Sequence, residues 1–444
     1  MSIQTEIDRI IAAVGAAYDA VEQKGGTVPQ SETVAGLAEA IGSIPVGGAP
    51  TAESDVNFYD YDGTLLHAWT LEELAQKTEL PPLPSHSGLV CQGWNWSLAG
   101  LKELGATMDV GAQYNTDDGS LFLHIELIAN NQKTVKLWIG PYNGGAGTID
   151  WGDGSDADAI SPAAYTQYEH VYAELGSYRI TVNGGVSRGL RVGSNQNLVP
   201  AITPTGVLTE VNTGSTVGFT PYAFYGCLGL KSISIHNDTF PLLATGLLHS
   251  CNSLRCAHVP SGSAYYLVMR CPTITTVTLG ENVAFVNSGQ FRECRALRRI
   301  RAKPSLRWTE GYGVYQCSSL SEVSGIFNNT PYALWSCGAL RKITLGEGTG
   351  VVATNTFYGC GSLTNLVFPG PVTSIGANAF ASCAAMDYYD FTACTAIPTL
   401  ANANAFTGIP DDCEIRVPAS LVDDWKAATN WATYADHIVG GVET

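Results

Sequence analysis

Eight cysteines dominate the reactive chemistry of this chain: Cys227, Cys251, Cys271, Cys294, Cys317, Cys337, Cys360 and Cys383. Their successive gaps are 24, 20, 23, 23, 20, 23 and 23 residues. Thiols in such numbers could form disulfides or hold zinc. No Cys-x-x-Cys pair exists, which argues against a structural zinc site. A fixed period of this length marks a stacked-repeat solenoid. Its layers sit about 4.8 Å apart, the wrong geometry for pairing every neighbour. The expectation is a ladder of reduced, buried thiols that act as small hydrophobes. Apolar residues three before and three after each cysteine complete the frame, as in Phe291, Cys294 and Leu297.

One position varies while that frame stays. Two residues before each cysteine stand Tyr225, His249, Met269, Arg292, Tyr315, Trp335, Tyr358 and Ala381. The preceding residue faces the core, so this one should face out and form a stripe along the rod. Tyr266, Tyr312 and Tyr332, five before their cysteines, widen it. Tyr, Trp and Arg make an interface composition. Such rings stack on sugars or anchor proteins. They could equally cover neighbouring turns or pack on another subunit.

Other chemistry is thinner. There is no phosphate-cradling loop, Gly-x-Ser-x-Gly elbow or His-Glu-x-x-His. A glycan hydrolase would need paired carboxylates. The repeats offer Glu281, Glu293, Glu310 and Glu322, each read as solvated surface. Asp150, Asp153 and Asp156 have calcium-loop spacing, but Asp-Gly turns also use their carboxylates to accept backbone N–H bonds. Trp94 and Trp96 could form a sugar platform or serve as core and rim of a small module. No catalytic residue, metal or cofactor is assigned. The net charge of −17 argues against nucleic acid and disfavours an anionic membrane surface. No signal peptide and no 18-residue apolar run is found, so a chain made in a cytoplasm, with no membrane insertion, is expected.

The positioning elements read as multidomain and mainly β. Residues 1–45 are a helical segment for oligomerisation and attachment. Its seam, Ile3, Ile7, Ile10, Val14 and Val21, is a heptad pattern whose β-branched residues favour a homotrimer. Residues 53–130 read as a small α+β module. Asp62-Gly63 makes its first hairpin, Thr70 and Glu73 a capping box, and Asp117-Asp118-Gly119 a second hairpin between 108–114 and 120–128. Residues 131–185 read as a β-sandwich, 205–410 as the solenoid, and 411–444 as a helical cap over its end.

Several stretches resemble known families. Ile149-Asp150-Trp151-Gly152-Asp153-Gly154-Ser155, then His170-Val171-Tyr172 and Gly176-Ser177-Tyr178, resemble the polycystic-kidney-disease (PKD) type of Ig-like domain. That resemblance implies a spacer or adhesive sandwich. Repeats such as Thr356-Phe357-Tyr358-Gly359-Cys360-Gly361-Ser362-Leu363 resemble BspA-like leucine-rich repeats. The N-terminal region and the stretches Val56 to Thr64 and Cys91 to Trp96 resemble structural proteins of phages that infect gut Gram-positive bacteria. The expectation is a virion tail fibre that binds a host surface glycan or protein through its solenoid and other tail proteins through its N-terminus. The alternatives are a bacterial surface adhesin, a head-fibre or decoration protein, or a tail-borne glycan hydrolase.

Overall fold

The computed structural model describes residues 54–141, 145–161, 163–184, 190–194, 198–234, 245–259 and 267–441. The seam Ile3, Ile7, Ile10, Val14 and Val21 and the stripe residue Tyr266 lie outside them.

The first unit is a four-stranded sheet of β1 (Val56–Tyr59), β2 (Leu65–Trp69), β3 (Leu89–Trp94) and β4 (Met108–Thr116), in the order β2-β1-β4-β3. β1 and β2 form the hairpin that Asp62-Gly63 predicts. Helix α1 (Leu71–Gln76) starts at a reciprocal capping box, with Glu73 N–H on Thr70 Oγ1 and Thr70 N–H on the Glu73 carboxylate. Helix α2 (Leu98–Leu104) is capped by Ser97.

Two further sheets follow. One runs β15-β13-β5-β10-β7-β8, from β5 (Leu121–Leu127), β7 (Gly147–Asp150), β8 (Asp158–Ile160), β10 (Gly176–Asn183), β13 (Leu208–Asn212) and β15 (Ser232–Ser234). The other contains β6 (Thr134–Pro141), β9 (Thr166–Val171), β11 (Leu190–Val192), β12 (Ile202–Thr203) and β14 (Val217–Phe219). The second hairpin expected at Asp117-Asp118-Gly119 does not form. β4 pairs with β1 and β3, whereas β5 pairs with β10 and β13. The turn carries the chain from one sheet to another. Asp-Gly chemistry sets a tight reversal in either case.

β13 joins the sheets to the solenoid: it is antiparallel to β5 and parallel to β15. One continuous apolar core runs from Leu121 to Ile438. The sheets are therefore fused to the repeats, and are not the detached spacer that the chain order suggests.

In the solenoid all eight ladder cysteines are fully buried, as are Leu230, Leu297, Leu320 and their equivalents. Each thiol after the first donates to the carbonyl three residues before the previous cysteine, from Cys294 Sγ–Val268 O at 2.9 Å to Cys360 Sγ–Leu334 O at 3.4 Å. The cysteines are thus interlayer donors as well as corner fillers. Burial raises their pKa, to about 12 at Cys227, Cys337 and Cys383, so they are poor nucleophiles. All twelve cysteines are free thiols. The residue just before each ladder cysteine is left-handed, with φ of 57–72°. That turn aims its N–H at the next layer, as in Gln316 N to Trp335 O at 2.8 Å. The units with Leu247-Leu248, Gly313-Val314 and Ala333-Leu334 keep the same ladder.

Strand Glu414–Pro418 extends the last sheet and pairs with Ile438–Gly441. Helix α3 (Val422–Ala427) and the following turns set Trp425 and Trp431 against Phe391, and Trp431 and Tyr434 against Phe406.

The first unit folds back onto the strands of the solenoid. Asp109 on β4, 1% exposed, pairs with Arg299 at 2.7 Å and Arg301 at 3.3 Å. Buried His258 donates Nε2–H to Asp60 O at 2.9 Å, leaving Nδ1 to accept from Thr278 at 2.7 Å. Burial lowers its pKa and keeps it neutral. Gly111 permits this approach, because a Cβ there would lie 2.5 Å from His258 Nδ1. Trp96 Nε1 donates to Leu279 O at 2.8 Å.

Two measurements check this account. Thiol titration of the native protein should report Cys91, the one half-buried cysteine, and denaturant should release all twelve. Arg299→Ala leaves the Asp109 carboxylate short of a cation in a buried site. It should cost about 3 kcal/mol in denaturant unfolding.

Candidate functional site

The varying position forms a stripe, in two columns. Tyr225, Arg292, Tyr315, Trp335 and Tyr358 are partly exposed, whereas His249 is buried at 8%. Tyr312 and Tyr332, three residues earlier, make the second column. Sequence reasoning missed Tyr222, which has the same phase, five before Cys227. It packs edge-on against Tyr225 and His249.

The rings stack on each other along the rod. Tyr315 lies on Trp335 with centroids 4.8 Å apart and planes 8° apart; Trp335 lies on Tyr358 at 5.8 Å and 11°. Tyr312 lies on Tyr332 at 5.1 Å and 4°. The Arg292 guanidinium closes the stack, 5.0 Å from the Tyr315 centroid and 5.5 Å from that of Tyr312. The stacking matches the reading in which the rings cover neighbouring turns, and most faces lie against the next layer. The ribbon offers ring edges and polar tips. Among the described residues, the hydroxyls of Tyr312, Tyr315, Tyr332 and Tyr358 and the Trp335 N–H have no hydrogen-bond partner in the chain.

Backbone geometry singles out the second column. Its position is left-handed in every described layer, with φ of 52–65°. Gly246, Gly289, Asn355 and Asn378 suit that conformation, and Tyr222, Tyr312 and Tyr332 do not. A bulky residue there carries strain of about 1–3 kcal/mol.

A groove of about 440 Å³ adjoins the N-terminal end of the stripe, lined by Tyr225, Asn252, Arg270, Glu293 and Arg295 among others. Glu293 is held by Arg270 at 3.1 Å and Arg292 at 3.0 Å. Glu322 is held by Arg301 and Lys342, and Glu281 accepts from Ser97. These three carboxylates are engaged, not merely solvated. Glu310 is exposed at the surface.

The remaining candidates resolve differently. Trp94 and Trp96 are buried, and Trp94 donates to Pro81 O, so they form no platform. Asp150 accepts Gly152 N–H and Asp153 accepts Ser155 N–H, as in an Asp-Gly turn. Bonds from the Ser155 hydroxyl and His170 hold the Asp153 carboxyl down at about 2. Trp151 stacks under His170, and Tyr172 donates to Trp151 O, so the Trp-Gly-Asp motif is bonded internally. Among the described residues no group of three His, Cys, Asp or Glu side chains could hold a metal, and no helix is long and apolar enough to cross a membrane.

Comparison with known proteins adds the following. No curated protein matches the chain. Among solved structures, a leucine-rich repeat protein from Bacteroides ovatus ATCC 8483 is 17% identical, with a TM-score of 0.38, and the match covers 52% of this chain and 65% of that one. A leucine rich cell surface protein from Faecalibacterium prausnitzii A2-165 is 18% identical, with a TM-score of 0.23, over 53% of this chain and 83% of that one. Pneumococcal vaccine antigen PcpA is 10% identical, with a TM-score of 0.22, over 53% and 75%. The model of the BspA type leucine rich repeat region matches residues 262–387 in six copies. Within residues 262–387 the ladder is thus a run of BspA-type leucine-rich repeats.

Proposed function

We propose that this protein is an attachment protein that recognises a bacterial surface ligand through the stripe on its solenoid. One observation carries the reading. Aromatic side chains occupy outward positions where the frame does not need them, and three tyrosines do so at a left-handed position that disfavours them. Stacking between layers rewards the rings, but left-handed strain opposes them at Tyr222, Tyr312 and Tyr332. A hot-spot surface of Tyr, Trp and Arg gives a reason to accept that strain.

In the form that the N-terminal pattern favours, residues 1–45 trimerise and dock to a phage tail, and the solenoid engages the host. The same binding head displayed on a cell would be a surface adhesin. The two forms share their recognition chemistry and differ in what carries the N-terminus. Sedimentation of the full chain should give a trimer. A monomer would remove the fibre form and leave the adhesive one.

The binding claim has its own test. The fluorescent full chain is applied to a panel of intact gut Gram-positive bacteria. Against the strains it binds, the Tyr315→Ala/Trp335→Ala variant should bind at least ~30-fold more weakly, as loss of ~2 kcal/mol at a hot spot implies. Unchanged binding by a folded variant would make the stripe structural.

A further inference from the structure

The charge of the chain is unevenly placed. Residues 251–310 contain nine Arg and Lys against three Glu, in a chain whose net charge is −17. A strongly acidic total therefore hides a positive band, which the sequence reading passed over. Part of the band faces the first unit: Arg299 and Arg301 meet Asp109, and the Lys303 ammonium lies 5.3 Å from the Trp96 ring centroid. Arg270, Arg292 and Arg295 remain on the turn side, beside the groove.

Their pairing is incomplete. Arg270 and Arg292 share one carboxylate, Glu293. Arg295 is exposed, lines the groove, and among the described residues has no partner. Three guanidinium groups are thus set against one carboxylate in number, and two of them bond it. A free guanidinium presents a rigid fork of donors that fits phosphate or carboxylate. The groove volume of about 440 Å³ suits a sugar ring with a charged substituent.

The ribbon has the same preference. Aromatic rings carry negative faces and positive edges. Stacking hides the faces of Tyr315 and Trp335 and leaves their edges, which are electropositive. Their free O–H and N–H groups add donors. Arg292 joins groove and ribbon, since it bonds Glu293 and packs on Tyr312 and Tyr315. The combined surface is long, rich in donors and positive, within a molecule that repels polyanions elsewhere.

We infer that the ligand is an anionic polysaccharide. Its phosphate or carboxylate groups seat at Arg295 and Arg270, and its hydroxyl-bearing backbone lies along the ribbon toward Tyr358. This inference rests on the attachment reading and names its ligand class.

The test uses the full chain against three immobilised polymers: polyglycerol phosphate, polygalacturonate and neutral dextran. At least one polyanion should bind, with affinity falling at least ~10-fold from low to high salt as screening grows. Which polyanion binds separates phosphate from carboxylate. Arg295→Glu should weaken that binding by ~10-fold or more, the worth of a charge-assisted contact, with an unchanged unfolding midpoint. Arg295→Lys should recover part of it. Equal binding by Arg295→Glu and wild type, or dextran bound as tightly as the polyanions, overturns the inference. If the stripe variant loses cell binding while no polyanion binds, attachment stands and the ligand class falls. If wild type binds no cell yet binds a polyanion at Arg295, the class stands and the attachment reading falls.

Discussion

The carbonyl three residues before each ladder cysteine is the hinge of the architecture. Phe291 O accepts Cys294 N–H within its own layer at 3.2 Å and the Cys317 thiol of the next layer at 3.0 Å. The site is closed to solvent, and the donor that reaches it is the small thiol of the next layer. One oxygen thus closes a turn and locks it to its neighbour. The left-handed residue before each cysteine repeats the coupling in the opposite direction. An unpaired buried polar group would cost about 1–3 kcal/mol per layer, so the register cannot drift. A surface stripe can be straight only on such a frame.

Much of this was legible because it is written in buried positions. Cys, Leu and Phe at a fixed phase record burial directly, and the outward direction of Tyr315, Trp335 and Tyr358 follows by subtraction. The capping box of Thr70 and Glu73 and the hairpin at Asp62-Gly63 were legible because both are local. What was hidden depends on distance or direction. Asp109 and Arg299 are 190 residues apart, and nothing in either neighbourhood names the other. The turn at Asp117-Asp118-Gly119 has the same chemistry whether it closes a hairpin or changes sheets. Phase gives the side on which a ring lies but not its tilt, so the stacking of Trp335 on Tyr358 needed coordinates. Tyr222 was available from phase alone. The positive band was masked because a total charge erases its own distribution.

The fold also differs from a string of beads. β13 belongs to the six-stranded sheet and to the first coil at once. The N-terminal end of the solenoid is therefore covered by a sheet edge rather than left open, and a covered edge cannot recruit another strand. The first unit brings a separate small core, from Val56 to Tyr114, against the strand side. Strand side and turn side thus have different tasks. One is closed by intramolecular docking, and the other keeps its donors free.

That division has a mechanical meaning. Layers stacked in series are strong in shear along many bonds at once but can be peeled one at a time from an end. The first unit grips the layers at His258, Leu279, Arg299 and Arg301. The groove is built from an overlapping stretch, from Tyr225 to Arg295. A ligand pulling on the groove would load the same layers that the ionic clamp at Asp109 holds.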